Sequence, residues 1–217
     1  MKKALVFWGG WDGHDPENVS LRLKKILEAN GFEVDRFEGT ECLKDGQKLL
    51  SYDLIVPCVT MGDINGEYTK NISKAISEGV GLAGCHGGMC DAFRNNTNWQ
   101  FMTGAQWVAH PGNGDVTYEV NINKASSSSL VEGIDDFTVT SEQYYIHIDP
   151  AVDVLATTTF TYPGNHTVNG KITVPVAFTK RWGQGKVYYN SLGHNRHIFD
   201  IPQAKEMMRR GFLYAAR

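Results

Sequence analysis

The sequence predicts an α/β protein: a mainly parallel central sheet covered by helices on both faces, with extra strands in its second half. Three observations predict it. Apolar strands alternate with helically spaced segments up to residue 80; a glycine-rich turn, Gly84-Cys85-His86-Gly87-Gly88, follows the apolar run Val80-Gly81-Leu82-Ala83; and after Phe93 one strand-like segment succeeds another.

Residues 4–8 form a continuous apolar strand, and Val19, Leu23, Ile26 and Leu27 then share one helical face before Gly31 ends the segment. Strands follow at 32–37 and 53–59, and Ile72, Ala75 and Ile76 mark a helix closed by Gly79. Alternation of this kind requires crossover connections, hence parallel strands buried on both sides. Further strands are expected at 115–123, 137–140, 144–148, 152–158, 172–179 and 186–190, and a last helix carries Ala204, Met207, Met208, Gly211, Phe212 and Ala215 inward. The segment before Trp107 has no clear periodicity, Ser126 to Ser129 reads as a short loop, and no internal repeat is visible.

With 217 residues and 41% hydrophobic content, residues 1–217 suffice for one domain with a substantial core. A net charge of -3 and a pI near 6.2, without a concentrated Lys/Arg footprint, argue against a nucleic-acid partner. The first apolar run stops at Trp8, too short for a signal-peptide core, and no stretch approaches membrane-spanning length; a cytoplasmic protein with no membrane partner is expected. Cys42, Cys58, Cys85 and Cys90 have no paired CxxC spacing, which predicts reduced thiols. Sequons such as Asn165-His166-Thr167 would then carry no glycan.

Ligands of an open parallel sheet bind beyond the carboxyl ends of its strands, and those positions are rich in His and Trp. They comprise Trp8-Gly9-Gly10-Trp11-Asp12-Gly13-His14, the elbow with His86 and Asp91, Trp107-Val108-Ala109-His110, Glu142-Gln143-Tyr144-Tyr145-Ile146-His147-Ile148-Asp149, and Leu192-Gly193-His194-Asn195-Arg196-His197. They hold six of the seven histidines. An isolated histidine is more often structural than catalytic, but several converging at one sheet edge point to a site, with His86 and His194 the strongest candidates. Flanking glycines let a strand turn sharply into a helix and hold the central side chain out at the sheet's edge. That tip is His86, where a Ser or Cys nucleophile would otherwise stand, so the chemistry shifts toward proton transfer, metal ligation or substrate contact. Cys85 is sent to the opposite side by strand alternation, and small buried packing is the expected role of both Cys85 and Cys90.

Gly9-Gly10-Trp11-Asp12-Gly13 matches neither a dinucleotide fingerprint nor a P-loop, so no nucleotide cofactor is expected. Trp11 and Trp107 suit stacking on a sugar's apolar face, with packing at the sheet's end as the equal alternative. A divalent metal, zinc or similar, is the one cofactor these residues allow; His14, His86, His147 and His194 are the candidate ligands, although neither His147/Asp149 nor His194/His197 has diagnostic spacing.

The segments 8–14, Gly84-Cys85-His86-Gly87-Gly88-Met89-Cys90-Asp91-Ala92-Phe93, Ser141-Glu142-Gln143-Tyr144-Tyr145, and Trp182-Gly183-Gln184-Gly185-Lys186-Val187-Tyr188-Tyr189 with Leu192-Gly193-His194 together resemble the ThuA family, named for trehalose utilisation. The resemblance spans nearly the whole chain. It implies a flavodoxin-like three-layer sandwich similar to class I glutamine amidotransferases, with His86 in the thiol position and therefore no Cys-His-Glu triad. It also implies disaccharide metabolism passing through 3-keto sugars. The expected function is acid-base chemistry on a small-molecule carbohydrate, metal-assisted or not. His86, His194, Glu142 and Tyr144 are the catalytic candidates, with Glu142 as base or metal ligand. Trp11, Asp12, His14, Asp91, Trp107, His110 and Tyr145 are the candidate substrate contacts. The alternative is a sugar-binding or regulatory module without catalysis; amidase action through Cys90 ranks below both. A homodimer is compatible with this scaffold.

Overall fold

The structure is a computed structural model describing residues 1–160 and 170–217; the Asn165-His166-Thr167 sequon lies outside the described residues. In chain order the elements are β1 (Lys2–Gly10), α1 (Pro16–Glu28), β2 (Phe32–Glu38), α2 (Gly46–Leu49), β3 (Leu54–Thr60), α3 (Gly66–Ser77), β4 (Gly81–Cys85), α4 (Gly87–Cys90), α5 (Thr97–Thr103), β5 (Ala105–Ala109), β6 (Val116–Ile122), β7 (Phe137–Ser141), β8 (Tyr145–Ile148), β9 (Asp153–Phe160), β10 (Ile172–Trp182), β11 (Gly185–Asn190) and α6 (Pro202–Ala215).

One sheet of nine strands runs β2-β1-β3-β4-β11-β10-β9-β6-β7. Its first five strands are parallel to their neighbours and follow the flavodoxin-like order, with β11 in fifth place. From β11 onward the pairs are antiparallel, which is where the extra strands of the second half attach. Alternation along β1 explains the two-sided burial. Ala4 and Val6 face a core shared with α1 and α6, whereas Leu5 and Phe7 face the one under α3 and α5.

The segment without periodicity contains α5 and β5. Asn96 caps α5 by accepting from the Trp99 backbone N–H at 3.0 Å, and the Trp99 indole donates to the Met89 carbonyl at 2.9 Å. Among the described residues β5 pairs only with β8, in an antiparallel ribbon that matches Trp107 with Ile146 and Gln106 with His147. A ribbon packed through alternate residues of two short strands leaves too few buried positions to register as a period.

The parallel strands all end on one side of the sheet, and the segments that follow β1, β4 and β11 carry His14, His86 and His194 there. Two devices bring them close. Gly10 has φ +82, and a Cβ there would sit 2.0 Å from the Thr60 carbonyl oxygen, so only glycine lets the first loop cross the end of β3. Gly87 passes so near His14 that a Cβ would lie 2.7 Å from its Nδ1.

Candidate functional site

His86 sits at the tip of the β4–α4 turn with φ 49 and ψ -142, a conformation that ordinarily belongs to glycine and costs about 1–3 kcal/mol. Its backbone N–H donates to the Asn190 carbonyl at 2.8 Å, pinning the tip to the end of β11. The ring is then fixed from both sides. Nδ1 lies 2.8 Å from the Ser191 carbonyl, which can only accept, so Nδ1 carries the proton. Nε2 therefore turns toward the Glu142 carboxylate, 3.0 Å from Oε2.

Glu142 comes from the turn between β7 and β8. Its backbone carbonyl accepts from the Tyr118 hydroxyl at 3.1 Å, and the neighbouring Gln143 amide donates to the Thr158 hydroxyl at 2.8 Å. These bonds aim the carboxylate inward, where three imidazoles meet a single oxygen: His86 Nε2 at 3.0 Å, His14 Nε2 at 3.3 Å and His194 Nδ1 at 3.5 Å from Oε2. The other oxygen, Oε1, faces His110 Nδ1 at 3.9 Å. Nδ1 of His14 is in turn 2.9 Å from the Thr60 hydroxyl. The ligating atoms of His14, His86, Glu142 and His194 all lie within 4.8 Å of one another, a spacing that could hold a metal ion.

Electrostatics follow from this burial. Burial is the largest influence on His86 and lowers its pKa to about 4, against the opposing pull of Glu142. For Glu142, burial alone would raise the pKa, but the imidazoles of His14, His194 and His86 gathered around it outweigh this and hold the carboxyl well below the usual carboxylate range. Tyr144 stacks on His86 with ring centroids 3.9 Å apart. Burial, reinforced by Glu142, pushes its phenol well above the ordinary value, so it stays a hydroxyl and a donor. Among the described residues that buried hydroxyl has no hydrogen-bond partner, nor do Trp107 Nε1 and His110 Nδ1. The three rings adjoin: Trp107 is 5.5 Å from His110 and 6.3 Å from Tyr144. Trp11, 48% exposed, stands at the rim with its ring edge-on to His14 at 4.9 Å.

Other sequence candidates fall elsewhere. His147 is corrected as a ligand: β8 alternates Ile146 inward and His147 outward, so its ring is exposed beside Gln106 and apart from the cluster. Glu142 takes the fourth position. Tyr145 lies on the face opposite Tyr144 and packs its ring on Phe160 at 5.6 Å. Asp12 is exposed in the turn before His14. Asp91 does not enter the cluster either; it binds Arg94 in a two-point ion pair, and the guanidinium lies 4.4 Å over the Trp107 ring. Thr60 and the Ser191 carbonyl went unread in the sequence because each acts by contact with a residue remote in the chain, and Arg94 went unread although its partner Asp91 is only three residues away. Cys85 and Cys90 are buried, and burial pushes both thiols well above the ordinary value, which agrees with a packing role.

Comparison with known proteins decides the family. The model of the family described as ThuA, trehalose utilisation, matches residues 3–215. The chain belongs to the ThuA family. A ThuA-like protein from Parabacteroides merdae superposes with a TM-score of 0.78 at 18% identity, over 99% of this chain and 89% of that one. One from Bacteroides uniformis gives 0.74 at 16% identity, over 99% and 91%. A cytoplasmic protein from Salmonella typhimurium gives 0.70 at 14%, over 100% of both chains. No curated protein matches. These likenesses carry the flavodoxin-like fold, and the ThuA family carries a carbohydrate-related role. No helix among the described residues is long and apolar enough to cross a membrane.

Proposed function

We propose that this ThuA-family protein is a cytoplasmic enzyme that performs acid-base chemistry on a sugar or keto-sugar. The observation that carries the reading is a buried carboxylate gripped by three imidazoles beside an unpartnered tyrosine hydroxyl. A C–H bond next to a carbonyl is acidic, so isomerisation or elimination needs a base, an acid and a donor for the enolate oxygen. His86 and His194 exchange protons with the substrate while Glu142 fixes their orientation. Tyr144 donates its hydroxyl to the developing oxyanion, and the Trp107 indole N–H and His110 Nδ1 hold neighbouring oxygens. Trp11 offers its exposed ring to the apolar face of the sugar at the rim. A divalent cation in the same cluster would occupy the ring nitrogens of His86 and His194 and would polarise the carbonyl as a Lewis acid in place of their proton transfer.

The direct test incubates the protein with 3-keto and parent disaccharides, with and without added divalent metal, and follows products by mass spectrometry. Turnover is expected to fall at least about a hundredfold in His86→Ala and in His194→Ala. Full turnover in both variants would remove the acid-base assignment. The lack of a nucleophile at the elbow favours one second reading, a module that senses a sugar unchanged; saturable binding with no product under any metal condition would select it.

A further inference from the structure

We infer that His14 Nε2, His86 Nε2, His194 Nδ1 and the Glu142 carboxylate form a resident site for a first-row divalent transition metal, best suited to Zn2+. The inference extends the function above but rests on different observations. His86 Nδ1 is committed as a donor to the Ser191 carbonyl, so in the neutral ring Nε2 is an acceptor that meets another acceptor, Glu142 Oε2, at 3.0 Å. Two lone pairs at that distance repel unless a positive centre lies between them. A proton joins only two atoms, yet His14 Nε2 and His194 Nδ1 converge on the same oxygen at 3.3 and 3.5 Å. A cation satisfies the four donors together.

The surroundings have the character of a metal's outer shell. Histidine ligands ordinarily donate their second ring N–H to a carbonyl, carboxylate or hydroxyl, which fixes the tautomer and the ring plane. His86 does so to Ser191 at 2.8 Å, and His14 Nδ1 is placed to do so to the Thr60 hydroxyl at 2.9 Å. Among the described residues the buried His194 Nδ1 has no hydrogen-bond partner, and a cation gives it a contact. Three imidazoles and one carboxylate suit zinc and its neighbours, whereas Mg2+ and Ca2+ prefer oxygen alone.

The experiment strips the full chain with a chelator, reloads it with Zn2+ or Co2+, removes free ion by gel filtration, and counts bound metal. A single equivalent is expected per chain, with visible d–d bands for Co2+ and imidazole scattering in the zinc X-ray absorption spectrum. His86→Ala and Glu142→Ala should lose at least about tenfold in affinity, while His147→Ala, which lies apart, keeps it. Because the spectra report ligands in the unaltered chain, misfolding of a variant does not decide the matter. A wild-type protein that retains no zinc after reloading, or a zinc spectrum without imidazole, overturns the inference. A loaded centre that turns over no sugar removes only the enzymatic reading. Turnover by a chain that binds no metal removes only the metal site.

Discussion

His86 shows how one side chain can serve chemistry at the expense of its own backbone. Its φ of 49 and ψ of -142 suit glycine, so His86→Gly should be more stable than His86→Ala by about 1 kcal/mol or more, although both lose the imidazole. Chemical denaturation of the two variants measures the difference; equal midpoints would mean that the tip carries no strain. Tyr144 presents the complementary case. Its buried hydroxyl has no partner among the described residues, so Tyr144→Phe should leave stability unchanged or slightly raised, since removing an unsatisfied polar group relieves up to about 1 kcal/mol. If that hydroxyl is the oxyanion donor, the same variant should lose roughly a hundredfold in kcat. A large loss of stability, or full activity, would show that the hydroxyl has another role. Both residues were legible in the sequence through their motifs. Their strain and their missing partner were not, because neither quantity exists before the chain closes on itself.

Among the elements, the β5–β8 ribbon is the least self-sufficient and depends on an ion pair for its seat. Lys180, on β10, is buried and reaches Asp149, just past β8, at 2.6 Å, and it also donates to the Phe101 carbonyl on α5. Removing the carboxylate takes the counter-charge from a buried ammonium that keeps its bond to the Phe101 carbonyl, so Asp149→Ala should cost about 1–3 kcal/mol. Hydrogen exchange should rise first in β5 and β8, the ribbon that presents Trp107 to the site. A uniform loss across the sheet would contradict that role. The strong strands and helices were readable from periodicity because each buries a full face. Within the ribbon β5 was not, although β8 was expected within 144–148; His147 was misassigned because, on a short strand, residue type does not reveal which face turns inward.

The whole molecule inherits a pH dependence from its buried cluster. For His86 the pKa falls from 6.5 to about 4 on folding, so between those values the unfolded chain takes up a proton that the folded one refuses. Stability therefore decreases as pH falls through that window, by roughly 3 kcal/mol when it is complete. Glu142 is shifted downward as well, so its contribution is present above its ordinary 4.5 and is lost below that value. Metal-free protein should melt at a nearly constant temperature above pH 7 and at steadily lower ones toward pH 4. In His86→Ala the part of this decline between pH 6.5 and 4 should shrink; an unchanged profile would place the proton uptake elsewhere.

Local spacing determined the alternating strands and helices, the elbow with histidine at its tip, and the loops at which polar groups collect, because periodicity and turn chemistry act between near neighbours. Only the tertiary structure decided that His14, His86 and His194 meet on one oxygen of Glu142 while His147 and Tyr145 face away. The physical reason is that convergence depends on sheet order and on the inward face of each strand. Burial across the whole molecule sets both, and no spacing along the chain records them.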